Sequence, residues 1–312
     1  MRRRIVSTYQ PPIYDPDQTG DWKSHLDSEG FVVLRNAISE DKAKEATANF
    51  MDEIHTISPG FKPDDKTTWT SANYPGVYGK GSIVFKGMAQ STSNWILRIY
   101  SIAMMAFAMV YGVGKDQLAV SFDGMSLFVD KKQQSEPWPH QDQKSSDKRL
   151  SIQGILNLLP CGHGDAGFVC VPKSHLEYTA PDQKTDWVLT PKDHPILEKL
   201  VKLVIPEPRT LILFNSKLIH ANTGMSGSHH VGQSLNRLSA YITFVPRERQ
   251  TEEIRRKRLE RYHSGNCTSH WADRHEEKKA PFHIASKLKT FNHLTPKVEE
   301  DGSIPKERLA LI

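Results

Sequence analysis

Glu136-Pro137-Trp138-Pro139-His140-Gln141-Asp142 is the stretch on which the reading of the whole chain turns. Each proline removes a backbone donor and pushes the residue before it towards extended geometry. Trp138 is thereby held out of the helical region, and His140 leaves an extended segment. In an extended chain, residues two apart point to the same side, so His140 and Asp142 can grip one ion together. His25-Leu26-Asp27 and His275-Glu276-Glu277 share the spacing, but both lie in segments of helical pattern, where positions two apart face away from each other.

A His-x-Asp pair is by itself more often a surface hydrogen-bonding pair than a metal site, so a third ligand is required. Thr210-Leu211-Ile212-Leu213-Phe214-Asn215-Ser216-Lys217-Leu218-Ile219-His220 offers one: an apolar run, a turn at Asn215-Ser216, and a short strand reaching a histidine. Two imidazoles and one carboxylate on one face leave coordination positions open, the arrangement that suits non-haem Fe(II). A core histidine is the other reading of His220; its place just before a pocket-lining strand favours ligation.

That strand is Asn236-Arg237-Leu238-Ser239-Ala240-Tyr241-Ile242-Thr243-Phe244-Val245, which alternates with period two. Arg237, Ser239, Tyr241 and Thr243 share one face, and Leu238, Ala240, Ile242 and Phe244 the other. A guanidinium fork beside a hydroxyl suits a carboxylate, and the implied ligand is a small dicarboxylate. Leu150 to Leu159 reads as a further strand with Gln153 on the face of Ser151, Ile155 and Asn157. Gln153 therefore points into the metal pocket, either as a contact to a bound ligand or as a satisfied interior amide.

With these residues in place the chain resembles the phytanoyl-CoA dioxygenase family of Fe(II)/2-oxoglutarate-dependent oxygenases. Four blocks carry the resemblance in the family's order, over about residues 22 to 246: His25 to Arg35, His140-Gln141-Asp142, Asp165 to His175, and Leu211 to Ser239. The resemblance implies a mainly β fold with flanking helices around a double-stranded β-helix, the jelly-roll or cupin-like core. It implies Fe(II) on His140, Asp142 and His220, 2-oxoglutarate anchored by Arg237 and Ser239 with Gln153 nearby, and O2 as co-reactant. The expected outcome is hydroxylation of a small organic or acyl substrate, with succinate and CO2 released. A non-catalytic jelly-roll binding protein and a cupin-like metalloenzyme without 2-oxoglutarate are the alternatives, and Arg237-x-Ser239 separates them from the first reading. The chain departs from the family pattern by inserting Met225 to Gln233 between His220 and Arg237, and by placing Lys173 and Arg209 where glycines are common.

The 312 residues divide into an N-terminal arm (1–20), a jelly-roll domain with flanking helices (21–246) and a basic helical extension (247–312) packed on the same domain. Hydrophobic residues make up 38% of the chain, enough for a sizeable core, and the net charge of +5 gives no ground for a nucleic-acid partner. Three cysteines make no disulfide framework and suit a reducing compartment. The start of the chain lacks an apolar signal region, and the expected location is cytoplasmic. Trp95 to Tyr111 is the most apolar stretch, too short for a membrane span of about 20 residues, and reads as one buried helix.

Other elements follow from local pattern. Helices are expected over Asp21–Ser28 and Ser39–Ile54, the latter capped by Ser39, with a strand Phe31–Leu34 between them. Residues 58–90 read as loop and Leu118–Val129 as one strand. Residues 176–208 read as an excursion of lid type with a helix near Pro195 to Leu203. Thr251–Arg261 reads as a solvated basic helix, His263, Cys267, His270 and His275 as a poor zinc set lacking paired short Cys spacings, and the last thirty residues as a surface tail. His175 reads as structural. The substrate cannot be read from the residues.

Overall fold

The computed structural model describes residues 6–129, 133, 137–180, 185–226, 235–274, 276–280 and 282–312. Glu136, His275 and positions 227–233 of the insert lie outside the described residues. The chain forms two compact units, Met1–Asn36 with Phe128–Leu238, and Ala37–Leu127 with Ser239–Ile312.

The first unit holds two sheets. One has the strand order Ser7–Tyr9, Val201–Leu203, Gly167–Cys170, His220–Thr223, His140–Gln141, Val188–Leu189. The other runs Ile13–Tyr14, Phe31–Leu34, Thr210–Asn215, Ile152–Asn157 and then Arg237–Tyr241, the strand along which the chain leaves this unit. From His140 onward the chain passes back and forth between the two sheets, as in a double-stranded β-helix, with the three successive strands Gly167–Cys170, Val188–Leu189 and Val201–Leu203 lying in the first sheet before it crosses again at Thr210–Asn215. The fold is mainly β with flanking helices. Phe168 of one sheet and Phe214 of the other meet with ring centroids 5.0 Å apart, so the sheets pack face to face through aromatic side chains. Leu211, Ile212, Leu213 and Phe214 are all buried because their strand is paired on both sides and covered on both faces.

Several local expectations are met by visible causes. The strand Phe31–Leu34 has the expected bounds, preceded by the helix Thr19–Glu29, which ends at Gly30 with φ 83°. Glycine is required there twice over, by the left-handed backbone and by His175, whose Nδ1 would lie 2.5 Å from an added Cβ. Lys173 and Arg209, the two positions where glycine was expected, do adopt positive φ, 65° and 57°. The backbone keeps the turns that glycine favours, and the side chains bear the αL strain.

Corrections fall mainly outside the sandwich core. The arm 1–20 carries two short strands: Ser7–Tyr9 pairs in parallel with Val201–Leu203, and Ile13–Tyr14 with Val33 and Leu34. The 176–208 excursion contains the strands Val188–Leu189 and Val201–Leu203, and its helical piece is a 3-10 turn, Pro195–Lys199.

In the second unit, Ser39 caps the helix Glu40–Ile57 by accepting from the Lys42 amide. Its buried residues Ala43, Ala46, Phe50, Ile54 and Ile57 form one stripe at helical spacing. The expected single helix Trp95–Tyr111 is two helices, Thr92–Tyr100 and Ala103–Tyr111, bent by 52°. Ser101 is extended at the break, and the Ile102 amide donates to the Ala37 carbonyl instead of continuing the helical ladder. No single helix among the described residues is long and apolar enough to cross a membrane. The expected strand Leu118–Val129 is also split, into Leu118–Val120 and Met125–Phe128, and residues 58–90 carry 3-10 turns and the strand Ser82–Ile83. The final residues are no surface tail: Leu288, Ile304, Leu311 and Ile312 are buried, and Leu311 accepts from the Val120 amide.

Candidate metal centre

His140, Asp142 and His220 converge in the first unit, with one ligand-type atom from each lying within 4.8 Å of the others. His140 and His220 are directly opposite on neighbouring antiparallel strands, so both imidazoles rise from one face. Their ring centroids are 4.5 Å apart. Nδ1 of His140 meets the Trp138 carbonyl at 2.8 Å, and Nδ1 of His220 meets the Leu218 carbonyl at 2.9 Å. A carbonyl only accepts, so each Nδ1 donates, and Nε2 is the ring nitrogen turned toward the carboxylate, where a metal would take it. Those Nε2 atoms stand 3.6 and 3.3 Å from the Asp142 carboxylate oxygens. The donor set of two imidazoles and one carboxylate is chemically that of a divalent first-row metal.

The carboxylate is fixed from behind. The Asp142 amide donates to the Ser216 carbonyl at 2.8 Å, and Gln153 Nε2 donates to Asp142 Oδ2 at 2.9 Å. Ser216 and Ser151 hydroxyls lie 2.8 Å apart, with the Ser216 hydroxyl also within 3.3 Å of Gln153 Nε2. Gln153 thus points inward as its strand face requires, and its amide is engaged with the metal-side carboxylate. The turn that presents His220 is closed by the Leu218 amide on the Asn215 carbonyl and by the Lys217 amide on Asn215 Oδ1. Phe214 and Phe168 wall the His220 ring at centroid distances of 4.6 and 5.8 Å. Trp187, 46% exposed, lies against the His140 ring at 5.7 Å and marks an open side of the site.

Arg237 is buried, and its guanidinium reaches across the sandwich to the other sheet, where Nη1 donates to Asn222 Oδ1 at 2.8 Å. Its register is held by the Leu158 amide on the Leu238 carbonyl. It is also held by Asn236, which donates to Asp165 Oδ1 at 2.6 Å and accepts from the Ala166 amide at 2.7 Å. Lys202 lies in the same neighbourhood; burial is the main cause holding its ammonium below the usual lysine range, and Arg237 adds to it. Its Nζ is taken up by the carbonyls of His163 and Asp165 at 2.7 and 2.6 Å. Ser239, two residues along the strand from Arg237, has a buried hydroxyl with no hydrogen-bond partner among the described residues.

Of the rival pairs, His25 and Asp27 join no metal-ligating group among the described residues, and the pair at His275 lies outside them. His25 lies on the helix Thr19–Glu29, its ring tilted against Tyr14 and edge-on to Phe31. Cys267 is buried, and among the described residues His140, Asp142 and His220 are the one group of metal-ligating type found. Asn222 is the residue of this centre that sequence reasoning passed over, although its signal was present, two positions after His220 on the same strand face.

No protein-family model matches the sequence. Over 153 residues it is 33% identical to Ava biosynthesis cluster protein O of Aspergillus versicolor, covering 48% of this chain and 49% of that protein. The chain thus spans about half the length of the curated relative it matches. Among solved structures it is similar in fold to EvdMO1, with TM-score 0.52 and 17% identity over 73% of this chain and 50% of that one. The epimerase SnoN, solved in complex with Fe3+, alpha ketoglutarate and a nogalamycin compound, gives TM-score 0.45 and 14% identity over 74% of this chain and 84% of SnoN.

Proposed function

We propose that this chain is an Fe(II)- and 2-oxoglutarate-dependent oxygenase of the phytanoyl-CoA dioxygenase type, hydroxylating an unactivated C–H of a small organic substrate. The observation that carries the reading is the convergence of His140 Nε2, His220 Nε2 and the Asp142 carboxylate, each held by its own backing hydrogen bond. Three protein ligands on one side leave positions for a chelating cosubstrate and for dioxygen. Arg237 supplies the buried cation for the far carboxylate of 2-oxoglutarate, with Ser239 next on the same strand face.

When bound, iron with 2-oxoglutarate and dioxygen supplies oxidative decarboxylation and the oxidising power to functionalise a C–H bond. The chain's own residues do the remaining work. The carbonyls of Trp138 and Leu218 hold the imidazole tautomers, and Gln153 orients the carboxylate. Phe168 and Phe214 keep water from the His220 side, and the exposed flank at Trp187 is where substrate enters.

The experiment needs no known substrate. The protein is incubated with Fe(II), 2-oxoglutarate and labelled dioxygen, and succinate is analysed by mass spectrometry. The expected result is succinate bearing one oxygen atom from dioxygen, formed by wild type and absent from His220→Ala. No succinate above the metal-free control would favour a jelly-roll protein without this chemistry.

A further inference from the structure

We propose that Asn222 is a positioning residue for the cosubstrate, setting where the Arg237 guanidinium stands relative to the metal; this rests on the reading of Arg237 as the 2-oxoglutarate anchor. Asn222 and His220 are two residues apart on the strand His220–Thr223, so both side chains rise from the same face. Both also make their contacts between the two sheets, His220 against Phe214 and Asn222 against Arg237. One rigid strand therefore carries the metal ligand and, about 7 Å further along at two strand rises, the acceptor that receives Arg237 Nη1 at 2.8 Å.

The chemistry explains why such a holder is needed. Arg237 enters from the opposite sheet on a long side chain with many rotamers to lose, and its strand follows the insert 225–233. A guanidinium has only donors and needs an acceptor to hold it without cancelling its charge. The Asn222 carboxamide oxygen is neutral, so it orients Nη1 while leaving the positive charge for an incoming carboxylate. An aspartate there would pair with Arg237 and compete with the ligand. The strand repeat from His220 to Asn222 thus becomes a ruler between the metal end and the carboxylate end of a 2-oxo dicarboxylate.

The test is anaerobic calorimetric titration of Fe(II)-loaded protein with two ligands, 2-oxoglutarate and 2-oxobutanoate, the second lacking the far carboxylate. Asn222→Leu should weaken 2-oxoglutarate about tenfold, the scale of one hydrogen bond to a charged group, and leave 2-oxobutanoate within about twofold by the same argument. Asn222→Ser, too short to span the contact, should do the same and covers the event that leucine is not accommodated. Unchanged 2-oxoglutarate affinity in both variants, with affinity lost in Arg237→Leu, overturns the role of Asn222 and leaves the anchor standing. Equal weakening of both ligands also overturns it, because the effect then does not act through the far carboxylate. If Arg237→Leu itself changes nothing, it is the anchor reading that fails.

Discussion

His220 stands directly across the strand ladder from His140, and the two imidazoles, 4.5 Å apart at their centroids, turn their Nε2 atoms to the same carboxylate, Asp142. The ladder register therefore sets the ligand spacing, and a one-residue slip would send His220 to the opposite face. Removing either ring should cost more than the 10- to 100-fold in metal affinity that outer-shell losses typically cause. Calorimetric Fe(II) titration of His140→Ala and His220→Ala checks this. Wild-type affinity in either would remove that residue from the ligand set.

Gln153 is expected to act on the metal through Asp142. Gln153→Leu preserves shape and deletes the donor to Asp142 Oδ2, and should lower Fe(II) affinity by about 10- to 100-fold with the fold intact by circular dichroism. Unchanged metal affinity with weakened 2-oxoglutarate binding would instead make Gln153 a ligand contact.

Gly30 joins the first helix to the sheet under two constraints, and Gly30→Ala violates both. The αL backbone costs a non-glycine residue about 1–2 kcal/mol, and the new Cβ would sit 2.5 Å from His175 Nδ1. The combined loss in a urea unfolding curve should exceed the backbone cost alone. Gly30→Ala in a His175→Ala background should recover part of the difference, the rest falling to Leu218 Cδ1, 2.7 Å from the same Cβ, and equal losses in both backgrounds would deny the His175 contact.

The same histidine gives a pH dependence with a definite sign. Burial, partly opposed by its contact with the Asp27 carbonyl, holds His175 below the usual histidine value of 6.5, and burial does the same to His25. The unfolded chain then binds more protons than the folded one as pH falls through about 6.5. Stability contributed by neutral His175 is full above that pH and is lost progressively below it. Unfolding midpoints measured from pH 8 to 5 should fall below about 6.5, and fall less steeply in His175→Gln. A midpoint that rises on acidification would contradict the assignment.

Much of this architecture was legible because its causes are local. Period-two alternation and the prolines around Trp138 expose the strands and the His140-Asp142 pair, and the Ser39 cap and Gly30 stop mark helix ends. What was not legible depends on distant partners. The break at Ser101-Ile102 is fixed by the Ala37 carbonyl, 65 positions away by the numbering. The strand Ser7–Tyr9 exists because Val201–Leu203 offers it an edge. The face of Gln153 followed from alternation, but its partner did not, since Asp142 is placed by the Ser216 carbonyl beyond another turn. Asn222 shows a different failure: its strand position was readable from His220, yet nothing local says that Arg237 crosses the sandwich to meet it.

On the proposed reading, His140, Asp142 and His220 hold a metal to which 2-oxoglutarate binds. The most direct measurement is anaerobic titration of 2-oxoglutarate into the protein with and without Fe(II), followed by calorimetry. One 2-oxoglutarate per chain bound only when Fe(II) is present, and lost in His220→Ala, is the predicted result; binding that is indifferent to the metal and to His220, or no binding at all, would contradict the account.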